Sequence, residues 1–336
     1  MTITSSFAPL DICEAVERID MKGKNLNFLS DLTQEQFLAL FRVAEMLEPF
    51  RKHSIPLLKN KLLCTMFFQP STRTRFSTED AMIRLGGGVI SESNPGANSS
   101  VAKDESLSDS LRVVSEYADI IALRHYNDST IFEDISTATI PVISCGYGNI
   151  THPTQGMLDM YTAYRALGNL EGVKVLVTSS DLTRARSGHS FALGLARMGA
   201  EILYSGPQEL RTPETIRQKL DETGCKYTEF FDLSQQEQEE LIMQSDLVYL
   251  PGCCVPKGQD ARDLYMEKAQ NYYIKLETLQ KAKQKYGKSV GLMHSLPRFA
   301  GEFDFSIDNT EHQLYFKQIA FSIPLRMALL CAMIGL

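Results

Sequence analysis

The sequence lacks the excess of positive charge found in proteins that bind nucleic acids or membrane surfaces. It has 34 Lys and Arg against 41 Asp and Glu, which gives a net charge of −7. Because phosphate backbones and anionic lipids are bound by basic surfaces, this balance argues against a general partner of either kind. A small anionic ligand stays possible, since a local basic pocket can exist on an acidic protein.

Cysteine spacings that bind zinc are also missing. The seven cysteines include no C-x-x-C or His-x-Cys arrangement, and several stand in apolar runs such as KLLCTMFF (61–68). We therefore expect buried, reduced thiols, a cytoplasmic location and no metal.

Targeting and membrane-spanning segments are not expected either. The N-terminus has no basic stretch followed by a long apolar run, so no secretory signal is predicted. The longest apolar run, at the C-terminus, is broken by Arg326 and looks too short to span a bilayer.

Several motifs of common enzyme classes are absent. There is no G-x-x-x-x-G-K phosphate loop, and no G-x-G-x-x-G turn follows the apolar stretch VKVLVTSSD (173–181). There is also no G-x-S-x-G elbow or Cys/His pattern of a covalent nucleophile. These absences argue against a P-loop enzyme, a dehydrogenase and a covalent hydrolase.

What the sequence does contain is an alternation of strands and helices. Its 336 residues, 43% hydrophobic, are enough for two domains. Apolar spacing predicts an amphipathic helix over 32–50, with Thr33 as N-cap and Gln36 completing a capping box. Strands are predicted over 61–68, 119–125 and 141–146, with helices over 77–85 and 106–116 between them. The first half therefore resembles an α/β domain with a parallel sheet.

The second half repeats this pattern. A long helix is predicted from the segment HPTQGMLDMYTAYRAL (152–167), where Pro153 suits the first helical turn. Strands are predicted over 170–181, 201–207, 245–252 and 289–298, with a helix over 187–200. The boundary falls within the long helix, so we assign one domain to residues 1–152, a second to 153–311, and a separate C-terminal helix to 312–336.

A cluster of hydroxyls and arginines follows the first predicted strand. Ser71, Thr72, Arg73, Thr74 and Arg75 lie between this strand and a helix, where backbone N–H groups make a ready anion site. Arginine adds bidentate charge, and the hydroxyls add hydrogen-bond donors. Taken alone, the cluster could equally be a solvated helix cap.

Other polar residues occur at the ends of the remaining strands, where ligands bind in open α/β sheets. They are Arg124 and His125, His152 and Gln155, Arg184 and Arg186, and His294 and Arg298. Because they come from both halves, we predict one cleft between two domains.

Seven motifs together resemble the aspartate/ornithine carbamoyltransferase superfamily, most closely its aspartate branch. They are FFQPSTRTRFSTED (67–80), NSSVAKDESLSDSL (98–111), ALRH (122–125), THPTQGMLDMYT (151–162), DLTRARSGHS (181–190), MHSLPR (293–298) and DNTEHQLYFKQ (308–318). The resemblance runs from about residue 25 to the end of the chain. It implies two doubly wound parallel-sheet domains joined by a helix, with the C-terminal helix packing back on the N-terminal domain.

The resemblance also implies the substrates and the roles of individual residues. The first domain would bind carbamoyl phosphate and the second an amino acceptor, in a homotrimer with active sites shared between subunits and no metal or organic cofactor. Ser71, Thr72, Arg73 and Thr74 would bind the phosphate, and Arg124, His152 and Gln155 the carbamoyl group. Ser100 and Lys103 would come from the neighbouring subunit. Leu296 would contact substrate through its backbone, before a cis Pro297, and Arg186 would hold the acceptor carboxylate.

The chemistry of carbamoyl transfer suits these residue types. A neutral amine attacks the carbonyl carbon, and negative charge grows on the carbonyl oxygen, where Arg124, His152 and Thr74 are candidate donors. Arg73 and Lys103 would balance the charge of the leaving phosphate. No nucleophilic side chain is needed, so catalysis would rest on positioning and electrostatics.

The acceptor side departs from the aspartate enzymes. Arg186 matches one of their two acceptor arginines, but by strand register Gly252 stands where the second would be and Cys254 where a glutamine would be. Gln69 replaces a glutamate that links the two domains, and Tyr126 replaces a proline. Since charge-assisted pairs are the strong ones, losing an arginine should weaken a carboxylate site considerably.

Three functional alternatives follow. We favour a carbamoyltransferase whose acceptor is an amine or amino acid other than aspartate. A true aspartate carbamoyltransferase of pyrimidine biosynthesis is a rival if Lys257 or Arg262 substitutes for the missing arginine. A catalytically silent homologue that binds carbamoyl phosphate is the alternative of another class. Cys253 and Cys254 either line the acceptor pocket or are small apolar loop residues.

Overall fold

The computed structural model describes residues 11–127, 129–252 and 269–336, and within these it contains two parallel sheets. The first sheet has the strand order β2-β1-β3-β4 and the second β7-β6-β5-β8-β9. The strands are β1 Leu62–Phe67, β2 Gly88–Glu92, β3 Ile120–His125, β4 Val142–Tyr147, β5 Lys174–Thr178, β6 Glu201–Gly206, β7 Tyr227–Phe231, β8 Leu247–Leu250 and β9 Gly291–His294. This arrangement confirms the predicted α/β class with two doubly wound sheets.

Helices cover the sheets and join them. They are α1 Ile12–Glu17, α2 Gln34–Leu47, α3 Thr72–Arg84, α4 Pro95–Asn98, α5 Leu107–Ser115, α6 Ile131–Ile135, α7 Pro153–Leu167, α8 Arg186–Arg197, α9 Glu214–Thr223, α10 Gln235–Gln244, α11 Leu276–Tyr286 and α12 Tyr315–Ile334. The predicted capping box of α2 is present: Thr33 Oγ1 accepts from Gln36 N at 3.2 Å, and Gln36 Oε1 accepts from Thr33 N at 3.0 Å.

The sequence analysis missed one edge strand of each sheet, β2 and β7. β2 and β7 contain no fully buried residue, so neither carries the continuous apolar run that marks a strand buried on both faces. The strands β1, β3 and β4 of the first sheet were predicted because they are almost entirely buried.

Helix α3 begins at Thr72, five residues before the predicted start at 77. Its first turn is polar and has no apolar period to detect. As a result Thr72, Arg73, Thr74 and Arg75 lie in the helix itself rather than in a loop before it.

Helix α7 joins the two sheets and packs closely on α8. A Cβ on Gly156 would lie 2.7 Å from Ser190 Cβ and 2.9 Å from Phe191 N, so only glycine allows this approach. The contact holds the N-terminus of α7, where His152 N donates to Ser190 Oγ at 2.8 Å.

The C-terminal helix α12 packs against α2, α3 and α7, which confirms its predicted return to the first domain. Contrary to the expectation that the C-terminal apolar run is too short, the 20 residues of α12 are long and apolar enough to cross a membrane by length and composition. However, 72% of its apolar window is buried inside the protein. Arg326, within this helix, is buried and donates from Nε to Thr78 Oγ1 at 3.1 Å.

Candidate active site

The N-terminus of α3 has the properties of an anion site. Ser71 is the N-cap residue, but its hydroxyl makes no capping hydrogen bond to the backbone. The first N–H groups of the helix are therefore not satisfied by this side chain, and the helix dipole favours an anion beside them. Thr74 is buried, Ser71 is half-buried, and Thr72 and Arg73 are exposed.

Arg73 connects this end of α3 to the second sheet. Its Nη2 donates to the carbonyl oxygen of Leu296, 2.5 Å away, just beyond the end of β9. The predicted phosphate residue and the predicted acceptor residue therefore meet. The peptide bond between Leu296 and Pro297 is cis, as predicted.

Arg124, at the end of β3, is held by two groups. Its Nη1 lies 3.0 Å from the carbonyl oxygen of Cys145, to which it donates, and 3.3 Å from His152 Nε2. Because a guanidinium only donates, Nε2 must accept, and the ring proton resides on Nδ1, which faces Thr154 Oγ1 at 3.2 Å. For His152 to donate to a substrate oxygen, as predicted, the proton must move to Nε2 and Arg124 must turn away.

His152 is a neutral imidazole. Burial holds its pKa well below the usual value, and the positive charges of Arg124, Arg186, Arg326 and Arg73 lower the pKa further. An uncharged ring in this position leaves the arginines as the cations of the cleft.

Gly146 lies between the two arginines of the cleft. A Cβ there would lie 3.3 Å from Arg124 Nη1 and 3.5 Å from Arg186 Cζ, and the residue has a φ of +116°. Both guanidinium groups therefore approach the same backbone atom. A larger residue would have to displace one of them.

We therefore expect Gly146→Ala to impair turnover more than stability alone explains. The added methyl group disfavours the backbone conformation and shifts one or both guanidinium groups, and a misplacement of about 1 Å can cost roughly 10²-fold in rate. Steady-state kinetics and a thermal melt would measure both effects. Gly168→Ala is a matched control, since that glycine also has a positive φ, +78°, with nothing within 4 Å of an added Cβ. Equal kinetic losses in the two variants would contradict the expectation.

Arg186 lies at the start of α8 and reaches across to the first domain. Its Nη1 donates to the carbonyl oxygen of Gly148 and lies 3.4 Å from Gln69 Oε1. Gln69, which replaces the glutamate of the aspartate enzymes, thus stands at the contact between the domains. Arg186 lies in the same cleft as Arg124.

Gln155 is held by a buried carboxylate that the sequence analysis did not single out. Gln155 Nε2 donates to Asp159 Oδ1 at 2.8 Å, which leaves the amide oxygen of Gln155 available as an acceptor. Asp159 is fully buried and also accepts from Tyr249 and Gln318. An aspartate on the apolar face of a predicted core helix was the available signal for it.

The loop after β8 disfavours a side chain at position 252. Gly252 has a φ of +66°, and a Cβ there would lie 2.6 Å from Ser295 Oγ. Ser295 Oγ in turn donates to the carbonyl oxygen of Pro251. The remaining residues predicted for this loop lie outside the described part of the chain; they are Cys253, Cys254, Lys257 and Arg262.

Ser100 and Lys103 do not join the cleft of their own chain. They form a short 3₁₀ helix, Ser100–Lys103, and both are exposed. Within the described residues, no recorded hydrogen bond or ion pair links either side chain to Arg73, Arg124 or His152.

Several of the predicted strand-end residues have structural roles. His294 is buried and lies between Leu296 N, 2.7 Å from its Nδ1, and Glu302 Oε2, 3.2 Å from its Nε2. Arg298 pairs with Asp308 and packs over aromatic rings. His125 packs edge-on against Phe68, and Arg184 is exposed. None of these four is among the groups that meet around Arg73 and Arg124.

Residues 11–127, 129–252 and 269–336 contain no cluster of three or more His, Cys, Asp or Glu side chains that could hold a metal ion. The cleft residues present donors and positive charge, which suit an anionic substrate.

Comparisons with known proteins agree with this geometry. Residues 24–165 match the carbamoyl-P binding domain of aspartate/ornithine carbamoyltransferase, and residues 171–333 match the Asp/Orn binding domain. Among solved structures, the catalytic subunit of Methanocaldococcus jannaschii aspartate transcarbamoylase superimposes with a TM-score of 0.76 at 35% identity, covering 93% of this chain and 99% of that one. The Trypanosoma cruzi aspartate transcarbamoylase complex with aspartate and phosphate gives 0.81 at 25% identity, covering 97% and 100%.

Relatives in sequence cover most of the chain. A ureidoglycine carbamoyltransferase of Rubrobacter xylanophilus is 46% identical over 321 residues, which are 95% of this chain and 94% of that protein. An aspartate carbamoyltransferase catalytic subunit of Thermococcus kodakarensis is 37% identical over 319 residues, or 94% and 99%. The chain therefore belongs to the aspartate/ornithine carbamoyltransferase family and is an enzyme that transfers the carbamoyl group of carbamoyl phosphate to an amine, as its motifs predicted.

Proposed function

We propose that the acceptor is ureidoglycine, and the observation that carries this proposal is the glycine at position 252. Aspartate presents two carboxylates, whereas ureidoglycine presents one carboxylate and one neutral ureido group on the same carbon. The cleft retains Arg186 for one carboxylate, and the Ser295 hydroxyl fills the space that a side chain at 252 would need. A neutral second group removes the need for a second arginine.

The relatives support the same assignment. The ureidoglycine carbamoyltransferase is 46% identical to this chain, against 35–38% for the aspartate carbamoyltransferase catalytic subunits of archaea.

In the proposed reaction, the phosphate of carbamoyl phosphate binds at the N-terminus of α3 with Arg73. The carbonyl oxygen receives hydrogen bonds from Thr74 and Arg124, and the amide oxygen of Gln155 accepts from the carbamoyl amino group. The neutral amine attacks the carbonyl carbon, and a new C–N bond forms. The C–O bond to phosphate then breaks, and the proton lost by the amine leaves with phosphate or solvent. The donors are fixed before the reaction, so they stabilise the developing oxyanion with little reorganisation.

A phosphate-release assay across acceptors tests the proposal. Purified protein and carbamoyl phosphate would be mixed with ureidoglycine, aspartate, ornithine or diaminopropionate, and the products identified by mass spectrometry. We expect kcat/KM for ureidoglycine to exceed that for aspartate by about 10²-fold or more, since a buried site discriminates strongly when one polar group is unmatched. A preference for aspartate would overturn the proposal.

Aspartate carbamoyl transfer for pyrimidine biosynthesis is the second candidate. The aspartate enzymes among the relatives and the matched Arg186 favour it, and Lys257 and Arg262 are cations that follow Gly252 in the sequence. A silent homologue would bind carbamoyl phosphate in calorimetry without turning over any acceptor. Phosphate release above background with one amine separates an enzyme from that alternative.

We also propose a homotrimer in which each active site is completed by the Ser100–Lys103 segment of a neighbouring subunit. The support is that this segment is exposed and stands apart from its own cleft. Helix α3 and the edge strand β2 also expose apolar side chains: Phe76 is 53%, Ile83 58% and Ile90 45% exposed. Apolar surface of this kind is typical of subunit interfaces.

Mixing two inactive variants should restore activity if sites are shared. Arg73→Ala and Lys103→Ala each damage a different half of the site. In randomly mixed trimers, about a quarter of the subunit interfaces therefore combine an intact Arg73 with an intact Lys103. We expect about that fraction of wild-type turnover after co-refolding, with each variant alone near background. No recovery in a mixture shown to be trimeric would contradict shared sites.

We further propose a cytoplasmic location without metal or organic cofactor. Cys64, Cys145 and Cys331 are free, buried thiols, as expected in a reducing compartment.

A further inference from the structure

Asp159 is a fully buried carboxylate that binds three side chains from three different elements. Its Oδ1 accepts from Gln155 Nε2 at 2.8 Å and from Gln318 Nε2 at 2.6 Å. Its Oδ2 accepts from the Tyr249 hydroxyl at 2.6 Å. These partners belong to α7, α12 and β8, so the carboxylate lies where both domains and the C-terminal helix meet.

Oδ1 of Asp159 is the acceptor of the Gln155 and Gln318 amides and Oδ2 that of the Tyr249 hydroxyl, and this fixes the orientation of the Gln155 amide. The amide nitrogen must face Asp159, so the amide oxygen is the atom left to face the cleft. An acceptor in that position can receive a hydrogen bond from the amino group of a carbamoyl group, which carries only donors. Turning the amide over would present two donors to that amino group.

The same carboxylate is linked to the acceptor side of the cleft through Gln318. Gln318 Oε1 accepts from His294 N at 3.0 Å, and His294 Nδ1 accepts from Leu296 N at 2.7 Å. The Leu296 carbonyl oxygen then receives the Arg73 guanidinium. A chain of hydrogen bonds thus runs from the carbamoyl side, through Asp159 and Gln318, to the loop after β9.

We propose that Asp159 and Gln318 are positioning residues. Asp159 sets the orientation of Gln155, by which the enzyme distinguishes carbamoyl phosphate from acyl phosphates that lack the amino group. Gln318 aligns the Leu296 loop with that subsite. This inference rests on the proposed site, in which Gln155 faces the carbamoyl group.

The pKa of Asp159 is raised to about 7, because the effect of burial exceeds the opposing effects of its three hydrogen bonds and the nearby Arg326. Both glutamine bonds fall on Oδ1, so they persist whether or not Oδ2 carries a proton.

Acetyl phosphate is the probe for the role of Asp159 in orienting Gln155, because it carries a methyl group in place of the carbamoyl amino group. The measured quantity is donor preference: the inhibition constant of acetyl phosphate divided by the KM of carbamoyl phosphate. We expect Asp159→Leu to lower this preference about tenfold, since the Gln155 amide loses the acceptor that orients it. A purely structural role would weaken both ligands equally and leave the preference unchanged, which would overturn the proposal.

Asp159→Asn is the matched conservative variant. Both glutamine bonds fall on Oδ1, so the asparagine oxygen can keep them while the new amide group donates to the Tyr249 hydroxyl. We expect it to retain donor preference within about twofold. A loss as large as that of Asp159→Leu would contradict the orientation argument.

Gln318→Leu tests the second part and remains informative if Asp159→Leu does not fold. It removes the link to His294 but leaves the bond between Asp159 and Gln155. We expect the acceptor KM to rise about tenfold with donor preference unchanged. An unchanged acceptor KM, or a fall in donor preference instead, would overturn this part.

Gln155→Leu separates failure of the inference from failure of the site assignment. If Gln155→Leu does not change donor preference, Gln155 does not face the carbamoyl group and the proposed site is wrong there. If Gln155→Leu changes donor preference while Asp159→Leu leaves it unchanged, only the positioning role of Asp159 fails. These measurements need only an accepted amine, so they do not depend on which acceptor the panel identifies.

Discussion

Arg73→Ala should lower kcat/KM by roughly 10²–10³-fold while the protein remains folded. Arg73 stands in the first turn of α3, exposed and aimed across the cleft at the Leu296 carbonyl. It contributes no core packing, so its removal should cost little stability. It does remove a charge-assisted donor from the place where phosphate charge develops. Both carbamoyl phosphate affinity and turnover should fall.

The measurement is steady-state kinetics beside a thermal melt and phosphate binding by calorimetry. Arg84→Ala is the matched control, since Arg84 lies at the other end of the same helix and pairs with Asp80 on the surface. We expect that variant to behave like wild type, because surface ion pairs contribute only about 0–1 kcal/mol. Wild-type kinetics in Arg73→Ala would contradict the assignment of the anion site.

Arg124→Met should lower kcat by about 10²–10³-fold, with a smaller change in KM. The guanidinium is held by the Cys145 carbonyl and His152 before substrate arrives, so its orientation costs nothing during the reaction. Methionine conserves much of the side-chain length without a donor. The loss should therefore fall on the transition state, where the oxyanion develops.

The same variant should change the pH dependence in a defined direction. Burial is the main cause of the lowered pKa of His152, and Arg124 is the next. Without Arg124 the pKa of His152 should rise, so the acidic limb of the kcat profile should move to higher pH. NMR titration of the ring would follow the same change.

Arg184→Met is the control for that experiment, since Arg184 also follows a strand end but is exposed and outside the cluster. It should leave both the rate and the acidic limb within about twofold of wild type, as expected for a surface substitution. An unshifted acidic limb in Arg124→Met would contradict the electrostatic coupling between Arg124 and His152.

Much of the candidate site could be proposed from the sequence, because its residues belong to short local motifs. Ser71 to Thr74, Arg124, His152, Arg186 and Leu296 each stand at a strand end or a helix start, and their residue types match anion chemistry. The sequence also predicts that Gly252 stands where the aspartate enzymes have a second acceptor arginine. The structure added the reason that no side chain fits there, which is the Ser295 hydroxyl.

Other features depend on contacts between distant segments. Asp159 meets Tyr249 and Gln318, which lie 90 and 159 residues away along the chain, and no local period predicts such a meeting. Predicted strand-end residues such as Arg298 instead pair with aromatic and acidic neighbours. The edge strands β2 and β7 were missed because partial burial leaves no continuous apolar run.

The sequence by itself determined the two α/β halves and the transfer chemistry and predicted an anion site at a helix start, because apolar period and residue type are local properties. Only the tertiary structure decided that Arg73 meets Leu296 across the cleft, that Gly146 separates Arg124 from Arg186, and that Asp159 orients Gln155. These depend on how two sheets and a returning C-terminal helix pack. Packing brings together side chains whose separation in sequence carries no signal.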